Sequence, residues 1–166
     1  MAYQFKIQLL NVAKPPVWRQ IQVSEKITFH ELHQIIQLVF GWDDSHLYQF
    51  SPKGYGTHPV ISIPLKDDWE QPDFNSMKTK LKKVFTREKQ TFNYLYDFGD
   101  DWFHKITLEK LVPDDIKCPV CLAGEGACPP EDCGGPWGYE DVKAVLADPT
   151  HEEYAGSERM AGSGRR

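Results

Sequence analysis

Apolar and polar positions alternate from the start of the chain. Tyr3, Phe5, Ile7 and Leu9 are separated by Gln4, Lys6 and Gln8, the period of two of a half-buried strand. Asn11 to Pro16 interrupts the pattern, because Pro15 and Pro16 have no N–H to offer a ladder. Val17–Val23 then predicts a second strand, with Val17, Ile21 and Val23 on one face and Trp18 on the other, so the two form an antiparallel pair. The period changes at Thr28-Phe29-His30-Glu31, a capping box in which a hydroxyl and a carboxylate satisfy the free amides of a helix start. Leu32, Ile35, Ile36, Val39 and Phe40 follow at helical spacing, and Gly41 stands where a C-terminal glycine belongs, which predicts a helix over 28–40.

His46–Ser51 reads as a third strand. Residues 52–75, rich in Pro, Gly and Asp, read as a long loop with one short β-like run at Val60–Leu65, and 76–86 as a short helix. A hairpin spans 91–111. Phe92, Tyr94, Tyr96 and Phe98 alternate with polar residues, Gly99-Asp100-Asp101 turns the chain, and Trp102–Leu111 returns. A short turn there sets Phe98 opposite Trp102, Tyr96 opposite His104 and Tyr94 opposite Ile106, with Asp97 on the other face beside Phe103. Residues 113–138 are mostly turn formers around the cysteines, and Tyr139–Ala147 predicts a last helix ended by Asp148-Pro149.

Together these elements predict one α+β domain over residues 1–154. It has an antiparallel sheet with an N-terminal strand pair, one main helix (28–40), a C-terminal hairpin (91–111) and a cysteine-rich loop followed by a short helix. The stretch 155–166, small, polar and aperiodic, predicts a disordered tail.

Composition narrows the function classes. A chain of 166 residues with 40% hydrophobic and 13% aromatic content has enough apolar material for one core. No apolar run approaches the roughly 18 residues of a membrane span, and Met1-Ala2-Tyr3-Gln4-Phe5-Lys6 lacks a signal-peptide core, so a cytoplasmic location is expected. The net charge of −5 argues against a general nucleic-acid coat. Residues 78–89 (KTKLKKVFTREK), with six Lys/Arg against one Glu, are a local exception: a solvated face, or a patch that contacts phosphates.

Two groups of residues could carry chemistry. All four cysteines lie between 118 and 133, clustered rather than spread as in a disulfide scaffold. Cys118, Cys121, Cys128 and Cys133 could close a tetrahedral structural zinc site, with the Cys-Pro-Val-Cys pair on one tight turn; their x6 and x4 spacings are unusual, and free thiols or redox chemistry are the alternatives. The second group is Asp97, Asp100 and His104 with His46, carboxylates and imidazoles suited to a divalent metal or to acid–base work. A hairpin turn also calls for Asp and Gly, and a buried His104 would be a hydrogen-bonded core residue. Glu131-Asp132 is expected to support the cysteine loop by hydrogen bonds to its backbone.

Four motifs occur in order. They are Pro16-Val17-Trp18-Arg19; Leu32-His33 with Phe40-Gly41-Trp42; Tyr96-Asp97-Phe98-Gly99-Asp100 with Trp102 and His104; and Cys128-Pro129-Pro130-Glu131-Asp132-Cys133-Gly134-Gly135 with Gly138-Tyr139. In these the chain resembles the Ri-plasmid open-reading-frame-three-like family, sometimes labelled transposon-passenger or resolvase-like, over roughly residues 3–150. The resemblance implies an α+β fold and a link to mobile elements, and it supplies no activity. A serine nucleophile set among arginines, which the resolvase label requires, is absent. Past His151-Glu152-Glu153 the family continues with a further helical segment, and the Gly/Ser/Arg-rich end of this chain departs from that pattern.

The reading is therefore a non-enzymatic binding or interaction module with a structural zinc loop and an unidentified protein or nucleic-acid partner. A metal-dependent hydrolase using His46, Asp97, Asp100 and His104 is the first alternative, and DNA binding through 78–89 the second.

Overall fold

The computed structural model of the protein describes residues 1–163. Eight strands and three helices follow in the order β1 (Ala2–Ala13), β2 (Pro16–Ser24), α1 (Phe29–Phe40), β3 (Tyr48–Ser51), β4 (Ile61–Ser62), β5 (Phe74–Asn75), β6 (Thr91–Tyr96), β7 (Trp102–Val112), β8 (Val120–Glu125), α2 (Gly135–Leu146) and α3 (Tyr154–Ser163). The strands form one sheet in the order β5-β4-β3-β6-β7-β1-β2-β8, antiparallel except for β4–β5. The expected α+β class holds, but the sheet is larger than a strand pair plus a hairpin: β1 lies between β2 and β7 and joins the two.

The capping box forms as read. Thr28 Oγ1 accepts from the Glu31 amide at 3.1 Å, Glu31 Oε2 accepts from the Thr28 amide at 2.6 Å, and Gly41 closes the helix at φ 74°. Phe29, Leu32, Ile36 and Phe40 are buried against the sheet. At roughly 1.5–3 kcal/mol for each large apolar side chain, this packing outweighs a cap of about 1 kcal/mol in holding α1. The buried face also takes in His33 and Gln37 and leaves Ile35 and Val39 half-covered, a rotation from the purely apolar stripe. The Tyr94 hydroxyl explains it: Gln37 Nε2 donates to it at 3.1 Å, and it lies 2.7 Å from His33 Nδ1.

Under α1 the sheet presents Phe5, Ile7, Ile21, Val23, Ile106 and Leu108, with ring contacts such as Phe5–Phe85 at 4.8 Å and Phe29–Phe50 at 5.0 Å. Of the five tryptophans, Trp42 and Trp102 are core, whereas Trp69 and Trp137 stand in solvent.

Four expectations are corrected. The hairpin pairs Tyr96 with Trp102, Tyr94 with His104 and Phe92 with Ile106, two residues away from the expected register. Five residues, Asp97 to Asp101, make the turn instead of three, and Asp97 and Asp101 take positive φ. A slip of two keeps the side chains still in the strands on their expected faces, because the strand period is two, but it leaves Phe98 in the turn and exposed. Residues 76–86 contain only a 3₁₀ turn at Leu81–Lys83. The 113–138 region includes a fully exposed edge strand, β8, held by its ladder to β2 rather than by any apolar alternation. Where a disordered tail is expected, Tyr154–Ser163 forms α3, while residues 164–166 of that tail lie outside the described residues. Among the described residues no helix is long and apolar enough to cross a membrane.

Candidate functional site

The turn after β6 begins the site. Asp97 sits at φ 63°, a left-handed conformation that Asp tolerates because its short carboxylate can bond locally. Its Oδ1 accepts from the amides of Gly99 at 2.9 Å and Asp100 at 3.2 Å, and its own amide donates to Leu47 O at 2.9 Å. That last bond ties the turn to the segment entering β3 and leaves Oδ2 facing His46, 3.4 Å from Nε2.

A second loop closes over this pair. Trp42 Nε1 donates to Pro129 O at 3.0 Å at one end, and the Gly134 amide donates to Asp100 Oδ2 at 3.2 Å at the other. The loop lies so close to the turn that a Cβ added to Gly135, at φ 74°, would stand 2.6 Å from Asp100 O. Glu131 and Asp132 are thereby carried to His46. Asp132 Oδ1 lies 2.8 Å from Nε2 and Glu131 Oε2 lies 3.8 Å from it. Glu131 is held through its other oxygen, Oε1, which accepts from Tyr96 OH at 2.9 Å and from the Asp43 amide at 3.0 Å. The Tyr96 hydroxyl is itself fixed, accepting from the Ser45 amide at 3.1 Å.

Three carboxylates thus surround one imidazole nitrogen, and the nearest, Asp132 at 2.8 Å, pairs with it. Glu131 Oε2 is a buried atom without a hydrogen bond. Burial lowers the His46 pKa, but the charges of Asp97 and Asp132 outweigh it and hold the ring above its ordinary value. For Glu131 burial dominates and raises the carboxyl. Among the described residues, His46, Asp97 and Asp132 are the only set of three or more His, Cys, Asp or Glu donors whose atoms all lie within 4.8 Å of one another. An imidazole nitrogen with carboxylate oxygens is a donor set for zinc, manganese or magnesium. Tetrahedral ligands on bonds of about 2.1 Å stand roughly 3.4 Å apart, a spacing the His46–Asp97 pair has and the 2.8 Å His46–Asp132 pair does not. His46, alone of the cluster's four residues, also lines a cleft of about 980 Å³ between α1, β3 and the 52–73 segment.

Of the hydrolase residues expected from sequence, the structure brings together His46 and Asp97 and separates the other two. Asp100 is occupied with the Gly134 amide. His104 is fully buried under Phe40, Trp42 and Tyr94, its Nδ1 3.2 Å from Tyr94 O, and burial lowers its pKa to about 4. Glu131 and Asp132 serve His46 rather than the cysteine loop, and no local signal connects residue 46 to residue 132.

The four cysteines are not gathered here into one coordination sphere. Cys118 and Cys121 are exposed, Cys121 on the edge strand β8 opposite Ile21. Arg19 Nη2 lies 3.0 Å from Cys128 Sγ, and burial pushes that thiol up to about 11 against the pull of the guanidinium. Cys133 is half-buried, its thiol pushed up to about 12 by burial and by Asp100. Lys78, Lys80, Lys82 and Lys83 of the basic segment are exposed, and among the described residues none is in a salt bridge.

Comparison with known proteins places this arrangement. The plasmid pRiA4b ORF-3-like protein family matches residues 1–164. An uncharacterized protein of Sinorhizobium fredii, y4hQ, is 36% identical over 156 residues, 93% of this chain and 78% of that protein. The crystal structure of MM3350 from Methanosarcina mazei Go1, a protein of unknown function, superposes with a TM-score of 0.80 at 38% identity, over 94% of this chain and 86% of that one.

Proposed function

The chain belongs to the plasmid pRiA4b ORF-3-like protein family, and from the geometry around His46 we propose that it is a divalent-cation-dependent hydrolase. His46, Asp97 and Asp132 are its cation ligands and Glu131 its proton carrier. One observation carries the reading: the buried His46 Nε2 faces three carboxylates, one of which keeps an unbonded buried oxygen, and the same ring lines a cleft of about 980 Å³. Three protein ligands leave an open position, which distinguishes a catalytic site from a closed structural one. A divalent ion held there would supply Lewis-acid polarisation of a carbonyl or phosphoryl oxygen.

The chain's own residues do the rest. Asp97 is fixed by two amides on Oδ1, so Oδ2 is presented without a search over rotamers. Glu131 is anchored through Oε1 and keeps Oε2 free toward the cluster. It is placed to take a proton from an attacking water and return it to the leaving group as the scissile bond breaks.

Isothermal titration with Mn²⁺ and Zn²⁺, on the intact chain and on Asp97→Asn, tests the site. Chromogenic ester, amide and phosphoester substrates, with and without chelator, test the activity. One ion per chain, lost in Asp97→Asn, with hydrolysis that disappears under chelation, is expected. Absence of ion binding, or hydrolysis indifferent to both treatments, overturns the proposal.

A further inference from the structure

The cleft beside His46 is uneven in charge. Its carboxylates are Asp44, Asp68 and Glu70, its other ionisable side chains are histidines and tyrosines, and no Lys or Arg lines it. His33, 2.7 Å from Asp44, is fully buried, and burial lowers that ring to about 4, so a neutral imidazole faces the carboxylate. The same cleft carries rings that a soluble protein ordinarily hides. Trp69 is fully exposed, and Tyr55 and Phe98 are about half exposed with centroids 6.4 Å apart. Phe98 directly follows Asp97, which sets the rings beside the cation cluster.

Carboxylates and ring faces both attract cations, and an anion entering this cleft would meet uncompensated negative charge. A sugar would stack on the rings and donate hydroxyls to the carboxylates but leave their charge uncompensated. A guanidinium uses both, stacking on a ring while its N–H groups reach a carboxylate. The volume is near the upper end for small-ligand pockets and admits more than a lone amine.

We propose that the cleft takes a basic peptide, with an Arg or Lys side chain set between the Tyr55, Trp69 and Phe98 rings and the carboxylates of Asp44, Asp68 and Glu70. Only the further step, that such a peptide is the substrate, rests on the hydrolase reading. Hydrolysis would then join a water oxygen to the carbonyl carbon and break the C–N bond, with the remaining water proton passing to the amine.

The test is calorimetry and tryptophan fluorescence on the full chain with tri-arginine, tri-glutamine and tri-glutamate peptides, chelator present throughout. Tri-arginine is expected to bind at least about tenfold more tightly than tri-glutamine and to quench tryptophan emission. The exposed-loop variant Asp68→Asn/Glu70→Gln, which disturbs no core residue, is expected to weaken it about fivefold or more, and Trp69→Ala to remove most of the quenching. Equal affinity for tri-glutamate, or an unchanged affinity in Asp68→Asn/Glu70→Gln, overturns the proposal. So does spermidine binding more tightly than any peptide. Because no divalent ion is present, failure here leaves the cation site standing, and failure of ion binding leaves the peptide result standing.

Discussion

His46 Nε2 and Glu131 Oε2 face each other at 3.8 Å, both buried, and the glutamate oxygen has no hydrogen bond. A buried polar atom left unbonded costs about 1–3 kcal/mol, and folded proteins hold few of them. Here it points at a small volume toward which His46, Asp97 and Asp132 are also turned. A protonated His46 offsets one of the three carboxylate charges; a divalent ion offsets two. The arrangement yields predictions separate from the tests above.

Asp97 holds both a turn and a ligand position, and two substitutions separate the roles. Asparagine keeps an Oδ1 to accept from Gly99 and Asp100 and tolerates φ 63°, so Asp97→Asn is expected to fold with a midpoint near that of the parent. Alanine loses both bonds and is strained at that φ, a cost of about 2–4 kcal/mol. Urea unfolding of the two variants checks this. Equal stability would show that the turn does not depend on the carboxylate.

Tyr94→Phe removes one oxygen but strands two buried groups. Gln37 Nε2 donates to the Tyr94 hydroxyl, which in turn donates to neutral His33 Nδ1, leaving His33 Nε2–H for Asp44 Oδ1. The expected loss is about 2–4 kcal/mol, well above that of an exposed tyrosine. A loss below about 0.5 kcal/mol would show the network to be energetically idle.

Stability is expected to fall as pH drops from 6.5 toward 4. Burial lowers both His33 and His104 to about 4, so in this window the unfolded chain binds protons that the folded chain refuses. The slope is about 1.4 kcal/mol per pH unit for each ring. His46, raised in the fold, works against this slope near its ordinary value, because there the folded chain holds its proton more readily than the unfolded one. Glu131, also raised, acts likewise and offsets part of the loss. Denaturation midpoints at pH 7, 6 and 5 should decline in order, with the His104 ring signal unmoved until about pH 4. Constant midpoints, or a ring titrating near 6.5, would contradict the burial argument.

The thiols should divide into two classes. Cys118 and Cys121 are exposed, whereas burial raises Cys128 and Cys133 to about 11 and 12. An aromatic disulfide reagent at pH 8 is expected to titrate two thiols quickly and two slowly, the slow pair accelerating under denaturant. Uniform protection of all four would instead restore the zinc ion on Cys118, Cys121, Cys128 and Cys133 expected from sequence.

The sequence by itself determined what a few consecutive residues can express. Thr28 and Glu31 cap α1 from three positions apart, Gly41 ends it, and the alternation in β1 and β6 sets which side chains face the core; these held because each rests on local geometry. The hairpin register was legible only to within two residues, since turn length depends on whether Asp97 takes a positive φ, and alternation is blind to a shift of two. Strand β8 was illegible because its backbone ladder to β2 needs no hydrophobic pattern. Half of the candidate site could be read: His46 and Asp97 stand out as donors. Their union with Glu131 and Asp132 was decided only by the tertiary structure, through the Trp42–Pro129 and Gly134–Asp100 hydrogen bonds that lay one loop over another. Such contacts join residues far apart in the chain, where no periodicity or spacing records which will meet.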